Sequence, residues 1–259
     1  MLTTIAMKIN TNKKIVLITG GSRGIGAATA SLMAHAGYAV AINYLKNKEA
    51  AVNVVDQIKG FGGTAVAIQA DVSREEEIVH LFRETEKLLG PVDALVNNAG
   101  ILEHQMRLEN MTADRLLRIF NANSIGPMLC AREAVKRMST RKGGKGGTIV
   151  NVSSIAARTG SPGEYIDYAA SKGAIDTFTI GLAKEVAAEG IRVNGVRPAF
   201  IYTDIHADGG EPGRVDRIKG SIPLQRGGVA AEVAEAILWL ASEKSSFTTG
   251  SFVDVTGGR

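Results

Sequence analysis

The chain has 259 residues, 45% of them hydrophobic, which is enough to bury a substantial core in one α/β unit. Its 30 basic and 26 acidic residues leave a net charge of only +4, and no basic stripe with interleaved aromatic residues indicates a nucleic-acid partner. The single cysteine, Cys130, excludes an internal disulfide and favours a cytoplasmic protein. Residues 1–13 lack the pattern of a signal peptide, so we expect a flexible N-terminal extension, with Met7 as an alternative start.

Predicted strands and helices alternate along the chain. Strands are predicted at 15–19, 38–43, 64–69, 92–96, 148–152, 191–196 and 251–255, and helices at 27–36, 48–59, 74–89, 112–138, from about 165, and at 231–241. The uncharged run 24–45 could span a bilayer, but Gly37 interrupts it, so we expect a buried helix and strand and no membrane contact. Apolar strands joined by helices predict a single-domain Rossmann-type fold over residues 14–259, a doubly wound parallel sheet flanked by helices on both faces.

A glycine-rich turn, Gly20-Gly-Ser-Arg-Gly-Ile-Gly26, joins the first strand to the first helix. Free N–H groups and the helix dipole at such a turn favour a pyrophosphate, so its Gly20, Ser22, Gly24, Ile25 and Gly26 are predicted to bind a cofactor. The turn lacks the Gly-Lys-Ser/Thr ending of a P-loop, which argues against a nucleoside triphosphatase. Tight packing of strand on helix is the alternative role for these glycines.

The end of the second predicted strand, Asn43-Tyr44, carries no carboxylate where an NAD-binding protein would hold the ribose hydroxyls. Arg23 lies at a helix N-terminus, where a cation is disfavoured unless an anion is close. Together with Lys46 and Lys48, which follow this strand, these residues favour NADP(H) over NAD(H) as the cofactor. The alternative for the two lysines is an ordinary solvated surface position.

Tyr168 and Lys172 are four residues apart on a predicted helix, so their side chains share one face. A cation close to a phenol favours the phenolate and would bring the tyrosine pKa from about 10 toward neutrality. Ser154, at the end of the preceding strand, is placed to hold a substrate oxygen beside that phenol. Taken alone, the tyrosine and lysine could equally be an ordinary exposed pair.

Five ordered motifs extend over nearly the whole chain. They are Thr19-Gly-Gly-Ser-Arg-Gly-Ile-Gly26, Asn97-Asn-Ala-Gly100, Asn123, Ser154 and Tyr168-x-x-x-Lys172. In this order they resemble the short-chain dehydrogenase/reductase family, and within it the bacterial members described as glucose 1-dehydrogenase-like or 3-oxoacyl-[acyl-carrier-protein] reductase-like.

The resemblance implies further roles for individual residues. Asn123, Ser154, Tyr168 and Lys172 would be catalytic, with Asn123 holding a water that links the lysine to solvent. The lysine and tyrosine would also contact the cofactor, together with Asp71 and Val72 at the adenine, Asn98, Ala99 and Gly100 at the ribose, and Pro198, Ile201 and Thr203 near the nicotinamide. Ala199 departs from the usual Pro-Gly of the family at this place.

The sequence therefore predicts an NADP(H)-dependent oxidoreductase for a small carbonyl or alcohol substrate, with Tyr168 as general acid or base. A glucose-type sugar dehydrogenase and a 3-oxoacyl thioester reductase remain open as the specific activity, and a non-catalytic NADP(H) sensor is the alternative of another class. Residues 204–223 are expected to form a mobile substrate lid. The family implies a homotetramer, and the four histidines show no metal-ligand spacing. His104, Glu164 and Tyr165 are candidates for substrate contact.

Overall fold

A computed structural model describes residues 13–259, so residues 1–12 of the predicted extension lie outside the described chain. The strands are β1 (Ile15–Ile18), β2 (Ala39–Tyr44), β3 (Thr64–Gln69), β4 (Ala94–Asn97), β5 (Gly147–Val152), β6 (Ile191–Pro198), β7 (Ile201–Tyr202), β8 (Gly228–Val229) and β9 (Phe252–Val255). The helices are α1 (Gly24–His35), α2 (Lys48–Gly60), α3 (Glu75–Leu88), α4 (Ala113–Phe120), α5 (Gly126–Met138), α6 (Ala156–Thr159), α7 (Ile166–Val186), α8 (Ile205–Asp208), α9 (Arg214–Ile218) and α10 (Ala230–Ala241).

Seven parallel strands of the described chain form one sheet in the order β3-β2-β1-β4-β5-β6-β9, and β7 pairs with β8 outside it. The residues of strand β1 are all apolar because both faces of the strand are buried. Val16 and Ile18 belong to a core cluster shared with α1, α2 and α10, whereas Ile15 and Leu17 belong to one shared with α3, α5 and α7. Both faces of the sheet are therefore covered, which confirms the predicted single-domain Rossmann-type fold.

Strands β1 and β4 are neighbours in the sheet. The strand order reverses between them, because β2 and β3 extend the sheet to one side of β1 and β5 and β6 extend it to the other side of β4. Loops that follow these two strands diverge to opposite sides, and a crevice opens at their carboxyl ends. The glycine turn follows β1 and the Asn97-Asn-Ala-Gly100 motif follows β4. The two motifs consequently lie side by side. They are almost 80 positions apart in sequence, and the pairing of β1 with β4 in the sheet brings them together.

The predicted long helix at 112–138 is interrupted. Helix α4 and helix α5 are joined by one π-helical segment, Asn121–Ile125. Two contacts account for the wider turn. The Asn123 side chain bonds the backbone of Ile101, and Gly126 lies so close to the Val72 carbonyl that a Cβ would stand 2.2 Å from it. These contacts with neighbouring segments therefore favour the π-helical turn over regular α-helix geometry.

Residues 204–223 contain α8, α9 and a 3₁₀ turn, so the predicted lid has short helices of its own. Arg214 of α9 is buried and paired with Glu164, which precedes α7, and with Glu211. These ion pairs hold the segment over the carboxyl edge of the sheet. Among residues 13–259, no helix combines the length and apolarity needed to cross a membrane.

Candidate active site

One cavity of about 1150 Å³ lies at the carboxyl edge of the sheet. It is lined by every residue predicted to be catalytic or to bind cofactor except Gly26 and Asn123, namely Gly20, Ser22, Arg23, Gly24, Ile25, Asn43, Tyr44, Asp71, Val72, Asn98, Ala99, Gly100, Ser154, Tyr168, Lys172, Pro198, Ile201 and Thr203. The carboxyl ends of six strands, β1 to β6, thus contribute residues to one cavity. Gly26 and Asn123 lie behind its wall.

The glycine turn forms a tight cradle at the N-terminus of α1. Gly20 has a φ of +62°, and a Cβ on it would stand 2.9 Å from the Ala99 Cα atom. A Cβ on Gly26 would stand 2.3 Å from the Gly20 carbonyl oxygen. The Asn98 amide fastens the turn by donating to the Thr19 carbonyl at 2.9 Å and the Gly20 carbonyl at 3.0 Å. Gly24 and Ile25, the first residues of α1, line the cavity, and the free N–H groups of a helix start suit a pyrophosphate.

Asn43 is buried at the end of β2 and braces this cradle. Its side-chain oxygen accepts from the Gly20 N–H at 3.3 Å, and its amide donates to the Ala70 carbonyl at 2.8 Å. No carboxylate occupies this strand end. Lys46 lines the cavity two residues beyond the strand, whereas Lys48 is not among the lining residues.

The carboxylate of Asp71 is already engaged within its own loop. It accepts from the Ser73 N–H at 2.9 Å and from the Ser73 hydroxyl at 2.7 Å. The Asp71 N–H in turn donates to the Glu77 carboxylate at 2.7 Å. Asp71 therefore orders the loop before α3 while it lines the cavity.

Ser154, Tyr168 and Lys172 meet at the inner end of the cavity. Ser154 leaves β5 and accepts from the Ala156 N–H at 3.1 Å, while Tyr168 and Lys172 project from the first turns of α7. The buried Lys172 ammonium donates to the Val152 carbonyl at 2.8 Å and lies 5.6 Å from the centre of the tyrosine ring. A hydroxyl, a phenol and an ammonium thus belong to the lining of the same cavity.

The acid–base properties differ from the expectation that Lys172 lowers the tyrosine pKa. Burial raises the pKa of the Tyr168 phenol above its usual value, and the neighbouring Ser154 hydroxyl offsets this only in part. Burial also lowers the pKa of Lys172 to about 8, although Asp176 acts in the opposite direction. The pKa of Tyr168 is therefore raised and not lowered as predicted, because burial is the largest influence on this phenol.

Asn123 is fully buried in the π-helical segment. Its side chain accepts from the Ile101 N–H at 2.8 Å and donates to the Ile101 carbonyl at 2.9 Å. A small gap lies in front of it, next to Gly100. A Cβ built on that glycine would stand 3.4 Å from the asparagine oxygen and 3.6 Å from the Lys172 ammonium. A group at this position would therefore touch both Asn123 and Lys172.

Charged residues that the sequence motifs did not indicate surround the outer part of the cavity. Arg214, Arg217 and Arg259 line it, together with Glu164 and Tyr165, two of the three residues expected to contact substrate. The third, His104, lies instead on a separate cavity of about 300 Å³. Arg214 stacks over the Tyr165 ring at 4.9 Å. The burial of Arg214 could not be predicted from the sequence, because the surrounding segment is rich in Gly and Asp and has no apolar periodicity.

A glycine cradle at a helix N-terminus opens into the same cavity as a serine, a tyrosine and a lysine. This is the arrangement of a dinucleotide-dependent oxidoreductase.

Comparisons with known proteins agree. The family model described as enoyl-(acyl carrier protein) reductase matches residues 20–259. The uncharacterized oxidoreductase YgfF of Escherichia coli (strain K12) is 60% identical over 245 residues, which cover 95% of this chain and 99% of that protein.

A 3-oxoacyl-[acyl-carrier-protein] reductase, FabG, of Staphylococcus aureus is 36% identical over 245 residues, which cover 95% of this chain and 97% of the relative. The crystal structure of a dehydrogenase/reductase from Sinorhizobium meliloti 1021 superposes with a TM-score of 0.87 at 34% identity and covers 97% of this chain and 96% of that one. The chain belongs to the short-chain dehydrogenase/reductase family, whose members are oxidoreductases that use nicotinamide cofactors on small molecules.

Proposed function

We propose that the chain is an NADP(H)-dependent oxidoreductase that interconverts a carbonyl and an alcohol, with Tyr168 as general acid or base. The observation that carries the proposal is the shared cavity, which has the glycine cradle at one end and Ser154, Tyr168 and Lys172 at the other. When bound, a nicotinamide cofactor supplies the hydride for reduction or takes it up in oxidation.

In the reductive direction Tyr168 donates its hydroxyl proton to the substrate carbonyl oxygen as the carbon gains hydride. The Ser154 hydroxyl holds the same oxygen with a hydrogen bond, which strengthens as negative charge develops there. Because burial raises the pKa of the phenol, Tyr168 holds its proton at neutral pH and has it available for transfer. A water in the gap beside Gly100, in contact with Lys172 and Asn123, would return the proton.

The preference for NADP(H) over NAD(H) rests on charge. The end of β2 presents the Asn43 amide instead of a carboxylate, so nothing there repels a 2′-phosphate or binds the ribose hydroxyls of NAD(H). Arg23 lies in the glycine turn and Lys46 beyond β2, and both line the cavity. Fluorescence titration with NADPH and NADH side by side tests this assignment, and tighter binding of NADH would refute it.

Two specific activities fit the same inner site. The Staphylococcus aureus relative is named a 3-oxoacyl-[acyl-carrier-protein] reductase, which favours reduction of a 3-oxoacyl thioester. A glucose-type dehydrogenase would run in the oxidative direction. An assay of NADPH oxidation with ethyl acetoacetate, beside NADP⁺ reduction with glucose, separates them. A chain that binds NADPH and turns over neither these nor a wider panel of carbonyls and alcohols would be the non-catalytic sensor instead.

The same proposal includes a homotetramer in a reducing cytoplasm, in which Cys130 stays a buried thiol. An exposed stripe on α7 supports the assembly. Ile180 is 40% exposed, and a Cβ on Gly173 or Gly181 would meet no neighbour within 4 Å. Small residues beside an exposed isoleucine allow a second helix to approach closely. Sedimentation equilibrium would test the tetramer, and a monomer at micromolar concentration would exclude it.

A further inference from the structure

A buried ion pair joins α4 to the residue immediately before the catalytic tyrosine. The Arg115 side chain is 5% exposed and that of Asp167 is 1% exposed, and the Arg115 Nε atom donates to Asp167 Oδ2 at 2.7 Å. Both side chains are buried, and Arg115 also lines the smaller cavity of about 300 Å³.

The second oxygen of the same carboxylate serves the catalytic helix itself. Asp167 Oδ1 accepts from the Tyr168 N–H at 2.9 Å. The first N–H groups of a helix have no partner inside it, so this bond fixes a free donor in the first turn of α7. A negative charge at this end of the helix is also favoured by its dipole. Asp167 thereby connects Arg115 to the backbone of Tyr168.

The guanidinium also holds a third segment. Arg115 Nη1 donates to the His104 carbonyl at 2.7 Å, in the loop that follows β4. Ile101 and Leu102 of this loop line the active-site cavity. The planar guanidinium of Arg115 thus sets the spacing between α4, the loop after β4 and the start of α7. A lysine could not replace it, because its ammonium lacks the forked arrangement of donors.

A buried ion pair is a poor source of net stability, because desolvation of both charges offsets their attraction and apolar replacements are often equally stable. Its value lies in fixed geometry. We propose that Arg115 and Asp167 are positioning residues that set the height and rotation of the first turn of α7 and so aim the Tyr168 hydroxyl into the cavity. This inference rests on the proposed role of that tyrosine in catalysis.

The test replaces the pair by apolar residues, Arg115→Met with Asp167→Leu, in the full chain. The matched control removes another buried pair, Glu133→Leu with Arg137→Met on α5, whose charged atoms lie 2.7 Å apart. Arg115→Lys is the milder variant and keeps the positive charge if the double variant does not fold. Turnover is followed with NADPH and ethyl acetoacetate, NADPH binding by fluorescence, and amide hydrogen exchange by mass spectrometry.

If the pair positions Tyr168, kcat falls about 10- to 100-fold in the double variant, as expected for a misplaced catalytic group. In Arg115→Lys kcat falls by a smaller factor. The KM for NADPH stays within about twofold, since the glycine cradle is untouched, and exchange quickens in residues 166–170 relative to the rest of α7. The control pair keeps its kcat and the exchange of this turn, whatever the replacement does to stability.

The inference is overturned if the Arg115→Met, Asp167→Leu variant keeps the kcat of the wild type and the wild-type exchange of residues 166–170. An inert wild type would count against the proposed 3-oxoacyl activity alone. The exchange measurement then decides, because selective loosening of this turn supports positioning and unchanged protection rejects it.

Discussion

Arg23 of the glycine turn is paired with Asp208 at the end of α8, so the cation proposed for the 2′-phosphate already has an anionic partner in the lid. Both side chains are about half exposed, at 54% and 44%. The pair links the cofactor cradle to the segment 204–223 across the mouth of the cavity. A phosphate on Arg23 would compete with the Asp208 carboxylate and repel it.

Asp208→Asn is therefore expected to tighten NADPH binding while leaving NADH binding unchanged. An exposed ion pair contributes only up to about 1 kcal/mol, so the gain should be about two- to fivefold in Kd. Fluorescence titration measures it, with Asp216→Asn as a control of equal charge change on α9. Equal tightening of NADPH and NADH would show that only the overall field had changed and that Arg23 does not meet the phosphate.

Lys172 is expected to make the stability of the protein depend on pH in an identifiable window. Its pKa of about 8 lies below the ordinary 10.5, so between these values the unfolded chain binds more protons than the folded one. The cost of burying the ammonium is fully present below about pH 8 and is lost as the pH rises toward 10.5. In this window the free energy of unfolding therefore increases with pH at this site.

Lys172→Met removes that titration but also leaves the Val152 carbonyl without its hydrogen bond, a loss that does not depend on pH. The stability of the variant relative to the wild type should consequently be greater at pH 7 than near pH 10.5, by about 3 kcal/mol. Urea denaturation of both proteins at several pH values measures the difference. A difference that stays constant with pH would mean that the buried lysine keeps its ordinary pKa.

Gly100→Ala tests the gap between Asn123 and Lys172. The added methyl would lie at ordinary contact distances of 3.4 Å and 3.6 Å from their polar atoms, so the fold should tolerate it. It would fill the space proposed for the relay water, and we expect kcat to fall about 10-fold or more with little change in the melting temperature. Gly60→Ala, which meets no neighbour within 4 Å, is the matched control. An unchanged kcat would place the proton path elsewhere.

Much of the fold follows from local patterns. The first strand and its glycine turn were predictable because the apolar run and the glycines act over a few residues, and Thr64–Gln69 was predicted with its observed bounds. The break at Asn121–Ile125 was not predicted, because its cause is contact with Ile101 and Val72, which are distant in sequence.

The site divides in the same way. Ordered motifs indicated the inner residues, and the sheet brings them to one cavity. The pairs Arg23–Asp208 and Arg115–Asp167 join segments more than 50 residues apart, and no spacing rule relates them. The wrong expectation for the tyrosine pKa has the same origin, since desolvation depends on how deeply the folded chain encloses Tyr168 and Lys172.

Tyr168→Phe is the measurement that tests the proposed function most directly, because it removes one hydroxyl and keeps the ring. The account predicts that the variant binds NADPH with the Kd of the wild type and loses turnover by about 100-fold or more. Tyr202→Phe, which removes an exposed hydroxyl bonded to Asp216 at 2.9 Å, should retain both properties. A Tyr168→Phe protein that turns over at the wild-type rate would contradict the assignment of Tyr168 as the general acid or base.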